Sequence, residues 1–121
     1  MQLTVNAREK PGVIILDLGG RLVAGEECDA LRTRIKDLLA TQHTRIILNL
    51  QNVSRIDSTA IGMLVEAVIN TVKQGGQIKL VSLPRLVHNV LFTHRLLQAF
   101  EVHATEEEAL AGFKLSNPSA A

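Results

Sequence analysis

Short apolar runs alternate with stretches of helical period along this sequence, and that alternation constrains the fold more than any other feature. Val13-Ile14-Ile15-Leu16-Asp17-Leu18, Arg45-Ile46-Ile47-Leu48-Asn49-Leu50 and Gln77-Ile78-Lys79-Leu80-Val81-Ser82-Leu83 have strand length and little regular polar alternation. Such runs read as interior strands covered on both faces. Between the first two, from about Glu26, Cys28, Leu31, Ile35, Leu38 and Leu39 fall on one helical stripe. Between the second and third, a helix opening near Ser58 carries Ile61, Leu64, Val65, Val68, Ile69 and Val72. Met63 falls opposite that stripe and is expected at the surface.

The ends of the chain complete the pattern. Leu3, Val5 and Ala7 alternate with polar neighbours, a half-exposed strand, and Pro11-Gly12 then turns the chain into a hairpin. Gly19-Gly20 is expected to end the second strand, and Gln51 to Arg55 reads as a polar connection. Pro84 suits the first turn of a helix bearing Leu86, Val87, Val90 and Leu91. Phe100-Glu101-Val102 reads as a short edge strand. Thr105 and Glu108 stand at capping-box spacing before Ala109, Leu110 and Phe113. Helices between successive strands impose right-handed crossovers and parallel neighbours. The expected fold is α/β: one mixed sheet, mainly parallel with an N-terminal antiparallel hairpin, packed with about four helices. Residues 1–113 are expected to form the domain, and 114–121, with Pro118, a flexible tail.

Composition narrows the function. The 121 residues are 46% hydrophobic and 21% charged, enough apolar content for one packed domain. A net charge of +1 is too balanced for binding driven by phosphate neutralisation, and without Trp or Tyr the chain has few bases-stacking surfaces, so nucleic acid is not the expected partner. Cys28 has no second cysteine to pair with, the opening residues lack a targeting pattern, and no apolar run approaches about 20 residues. A cytoplasmic protein without direct membrane insertion is expected. His43, His88, His94 and His103 have no ligand-like spacing, so no metal and no cofactor is assigned. The hydrolase elbow and both glycine-rich nucleotide motifs are absent, so no catalytic residue is assigned.

The most informative stretch is Arg55-Ile56-Asp57-Ser58-Thr59-Ala60-Ile61-Gly62-Met63, which leaves an interior strand and enters a helix. Unpaired backbone N–H groups and the helix dipole favour negative charge there. Either Asp57 or Ser58 can cap the helix; if Asp57 caps, the Ser58 hydroxyl is available to something outside the protein. Gly62, four residues on, places no side chain beside it. A phosphate on Ser58 would add about 1.5–2 negative charges, tolerated by the helix terminus but not by an acidic or apolar partner surface.

Asp57-Ser58-Thr59-Ala60-Ile61-Gly62 resembles the Asp-Ser-Ser/Thr-Gly-aliphatic-Gly signature of STAS domains, especially single-domain bacterial anti-sigma factor antagonists. Leu18-Gly19-Gly20-Arg21-Leu22 resembles the family segment before the first helix, and the order of elements agrees from about Leu3 to Phe113. The resemblance implies a STAS-like fold and a non-enzymatic switch. The unphosphorylated form would bind an anti-sigma factor serine kinase and free a sigma factor; phosphorylation of Ser58 would release it, and a separate phosphatase would reset it. It further implies partner contacts at Asp57, Thr59, Gly62 and Met63 and in a loop that includes Arg21, Leu22 and Val23. Ala60 stands where the family usually has Gly, and Val23 where an Asp is common. Non-phosphorylated relatives serve as scaffolds or as small subunits of lipid-transport or other membrane transport complexes, which is the alternative reading.

Overall fold

The computed structural model describes residues 2–115. Five strands, β1 (Leu3–Lys10), β2 (Val13–Leu22), β3 (Arg45–Ile56), β4 (Gln77–Val81) and β5 (Glu101–His103), form one sheet in the order β1-β2-β3-β4-β5. The β1–β2 pair is antiparallel and the others are parallel. Four helices, α1 (Glu26–Ala40), α2 (Ser58–Lys73), α3 (Arg85–Thr93) and α4 (Glu106–Leu115), and one 3-10 turn at Leu97–Ala99 complete the described residues. The expected mixed α/β architecture is therefore observed. Helix α4 runs two residues past the expected domain limit, and the expected tail from residue 116 lies outside the described residues.

The period-two geometry of the interior strands divides the core. Ile14, Leu16 and Leu18, with Ile46, Leu48, Leu50, Ile78 and Leu80, pack under α1, α2 and α3. Val13, Ile15, Ile47 and Val81 point the other way and pack under Ala109 and Phe113 of α4. Burial on both faces is why these runs lack polar alternation.

Two strand ends differ from expectation. Strand β2 continues through Gly19-Gly20 to Leu22, and β3 continues through Gln51 to Ile56. The glycines make an irregularity within a strand instead of ending it: the β2–β3 register shifts on both sides of Gly19-Gly20. At Gly20, φ is +95° and a Cβ would collide with the Gln2 carbonyl, which accepts a hydrogen bond from the Arg21 N–H at 2.8 Å. In β3, the polar residues 51, 52, 54 and 55 are exposed while Val53 and Ile56 are buried. Strand β4 pairs with β3 only over Arg45–Asn49, so the upper half of β3 belongs to a β2–β3 ribbon with one wet face.

Helix α2 is rotated from its expected seating. It buries Ala60, Ile61, Met63, Leu64, Ala67 and Thr71, while Ile69 and Val72 are 49% and 56% exposed. The shift is toward α1, where Met63 and Ala67 share a narrow crevice with Ile35 and Leu39. Met63 is 2% exposed, which corrects its expected surface position.

The α4 face holds a feature hidden inside an apolar run. Lys79, only 2% exposed, directs its ammonium at Glu101 Oε2 (2.5 Å) and over the Phe113 ring (4.5 Å to the centroid). A Cβ on Gly112 would collide with that ammonium. Glu101 also pairs with His103 Nε2 at 3.0 Å and accepts from Gln77 Nε2 at 2.6 Å. Burial raises the Glu101 pKa, but the hydrogen bonds from His103 and Lys79 outweigh it and hold the carboxyl below its ordinary range. At the other end of α4, Arg8 joins Asp17 (2.5 and 2.9 Å) to Glu106 (2.6 Å).

Candidate functional site

Helix α2 begins where β3 leaves the sheet, and Asp57 controls the junction. With φ −121° and ψ 176° it is extended, so it stands outside the helix as the N-cap. Its Oδ1 accepts from the Ala60 N–H at 2.9 Å, and its Oδ2 accepts from the Ala24 N–H at 2.8 Å. One carboxylate thus joins the helix to the β2–α1 connection. The Ala24 bond, against the opposing effect of burial and with help from the Ala60 and Thr59 N–H groups and the Arg55 charge, lowers the Asp57 pKa.

Because Asp57 takes the cap, Ser58 is the first helical residue and is exposed, as is Thr59. Gly62 is also exposed, and a Cβ there would meet nothing within 4 Å. No internal contact calls for glycine at this mid-helix position, where it costs about 0.5–1 kcal/mol relative to alanine. The backbone beside Ser58 is therefore left bare. Ala60, where related motifs carry glycine, is fully buried, so its methyl points inward and leaves the Ser58 surface clear.

The second group of expected contact residues divides. Arg21 is exposed and Val23 is half-buried in the connection that Asp57 holds. Leu22 is fully buried, the last residue of β2, and packs in the α1–α3 core; this corrects its expected place in a partner-facing loop. Met63 likewise offers no side chain to a partner. Asp57, Ser58, Thr59 and Gly62 lie together at the junction, with Arg21 and Val23 flanking it in the chain segment that Asp57 ties in. Cys28 is buried, and burial and then the Asp57 charge raise its thiol pKa, as suits an inert packing residue.

Sequence reading missed a groove of about 540 Å³ between α2 and the end of α3. Ser58, Ile61, Gly62 and Val65 line it from α2, Val90, His94 and Leu96 from the other side, with Ile56 and Asp57 between them. The available signal was Val65, an apolar stripe residue that the rotated helix leaves half-buried.

The STAS domain family model matches residues 4–109 of the chain. No curated protein matches it in sequence. Among solved structures, it is similar to a candidate anti-sigma factor antagonist from Thermotoga maritima (24% identity, 91% of this chain and 94% of that chain, TM-score 0.82). It is also similar to an anti-sigma factor antagonist from Mycobacterium paratuberculosis (18%, 93% and 94%, 0.79) and to the unphosphorylated Bacillus antagonist SpoIIAA (21%, 92% and 96%, 0.77). The family match over most of the sequence, together with the shared fold, places this chain in the STAS domain family.

Proposed function

We propose that the protein is an anti-sigma factor antagonist that works as a phosphorylation-switched binding module. The observation that carries this reading is the exposed Ser58 hydroxyl, set beside bare Gly62 backbone on a helix whose cap is already supplied by Asp57. The unphosphorylated surface binds an anti-sigma factor that is also a serine kinase. Phosphate transfer from ATP to the Ser58 oxygen puts a dianion at the centre of that contact. The α2 N-terminus tolerates the charge, so the fold survives while the interface is lost. A separate phosphatase restores the hydroxyl. SpoIIAA, which shares the fold, is known in phosphorylated and unphosphorylated forms, and this agrees with the reading.

The test is incubation with ATP and an anti-sigma serine kinase encoded beside this gene. Phosphate should appear on Ser58 and vanish in Ser58→Ala, with Thr59 unmodified. Ser58→Asp should keep its fold and bind the kinase more weakly than wild type. A kinase that binds the protein but leaves Ser58 unmodified would overturn the switch and favour a static scaffold or transport-complex subunit. No helix among the described residues is long and apolar enough to cross a membrane, so in that alternative any membrane-spanning helix would come from another chain or from outside those residues.

A further inference from the structure

The C-terminal half of α2 carries apolar surface that the fold does not cover. Val65 is half-buried, Ile69 and Val72 are 49% and 56% exposed, and the three recur at the four-then-three spacing of a coiled-coil seam. That spacing puts them on one stripe, an unpaired helix face and not scattered apolar residues. Glu66 and Lys73 each follow a seam valine by one position, so both stand on the same flank of the seam. It is the flank beside α1, where Lys36 shares one crevice with Glu66 and another with Lys73. Glu66 and Lys73 are exposed, and neither side chain has a hydrogen bond or ion pair among the described residues.

This face is its own complement. A twofold axis through Ile69, perpendicular to α2, sets a second α2 antiparallel to the first and brings like flanks together. Counted from Ile69, Val65 is four residues back and Val72 three forward, while Glu66 is three back and Lys73 four forward. Reversal therefore sets Val65 against Val72, Ile69 against Ile69, and Glu66 level with Lys73. A parallel pairing would instead align Glu66 with Glu66 and Lys73 with Lys73, so the charges select the antiparallel one. We propose that the chain forms an antiparallel homodimer through this outer face of α2, with Val65, Ile69 and Val72 at the seam and a Glu66–Lys73 pair on each side of the axis. Ser58 lies about three turns from that axis, past the end of the opposing helix, so it stands outside the helix contact. The dimer does not depend on the function proposed above.

Three apolar side chains and two ion pairs make a contact smaller than the roughly 800 Å² per partner of a standard interface, so the dimer is weak and forms as concentration is raised. The test is sedimentation equilibrium of the full chain from micromolar to near-millimolar concentration, where the apparent mass should climb from monomer toward dimer. Ile69→Asp, at an exposed position, should keep the circular dichroism of wild type and weaken association at least about tenfold, because two carboxylates meet on the axis. Glu66→Lys and Lys73→Glu each set like charges together twice and should weaken it about fivefold, and the double variant Glu66→Lys/Lys73→Glu should return it to within about twofold of wild type. A chain that stays monomeric throughout would overturn the proposal and leave the face to a different protein. A dimer that survives Ile69→Asp, or a double variant that fails to recover, would overturn it as well.

Discussion

The two faces of the sheet are built on different principles. Under α1, α2 and α3 the core is a continuous apolar layer, with Leu16, Leu48 and Leu80 at its centre. Under α4 the apolar cluster is small, and the helix is held as much by charge: Lys79 with Glu101 at one end, Arg8 with Asp17 and Glu106 at the other. Apolar burial adds stability without regard to orientation, whereas the exposed Arg8 pairs add little and the Lys79 ammonium, itself buried, is costly chiefly when its partner is lost. The first face should therefore carry the stability, and the second should fix where one helix sits.

Mutation can break that contrast. Leu48→Ala, in the middle of the larger face, should cost about 3 kcal/mol in urea unfolding and should destabilise the whole domain together. Glu101→Gln should cost about 2 kcal/mol, because it strands the buried Lys79 ammonium, while Lys79→Met should cost less than about 1 kcal/mol, since half-exposed Glu101 keeps water, His103 and Gln77. Equal costs for the two would refute the asymmetry. Hydrogen exchange should show the Glu101→Gln loss in α4, with α1–α3 still protected.

Acid should act in the same direction. Glu101 and Asp17 fold with lowered pKa values, Asp17 chiefly through its Arg8 hydrogen bonds. Their stabilising effect is complete above their ordinary values, near 4.5 for a glutamate, and is lost as pH falls through the lower folded values. Wild type should lose stability on acidification, and α4 protection should fall before that of α1–α3.

The rim of the larger face gives the smaller effects. Asp57→Ala should cost about 1 kcal/mol through the lost cap and should speed amide exchange at both Ala60 and Ala24. Gly62→Ala should do the opposite, adding about 0.5–1 kcal/mol in thermal unfolding, because a methyl there meets open space. If the proposed function holds, the same methyl weakens kinase binding, and a variant both steadier and poorer at binding would separate the two roles of that position.

The sheet was legible because Val13–Leu18 and Arg45–Leu50 could be uninterrupted only if covered twice, and the junction was legible because Asp57, Ser58 and Gly62 each carry a local conformational preference. What stayed hidden depended on distant neighbours. Gly19-Gly20 looks like a stop until β1 lies close enough to require a missing side chain. Met63 looks exposed until α1 is placed beside α2, because small Ala60 and Ala67 give a periodicity reading little weight although they bury well. Nothing local gives Lys79 a partner inside its apolar run, since its anion lies 22 positions later on a three-residue strand. The groove depends on where the end of α3 falls relative to α2, a distance that no local pattern encodes.

Lys79 has a consequence for the chronology of synthesis. As the polypeptide emerges from the ribosome, the segment through Phe100 already contains β1 to β4 and α1 to α3, most of the larger apolar layer, and the lysine can stay hydrated on the open side of the sheet. Glu101 must arrive before that lysine can be sealed away without a severe penalty, and the sealing helix is encoded directly after it. Strand β5 thus supplies the counter-charge that α4 needs when it covers that side of the sheet.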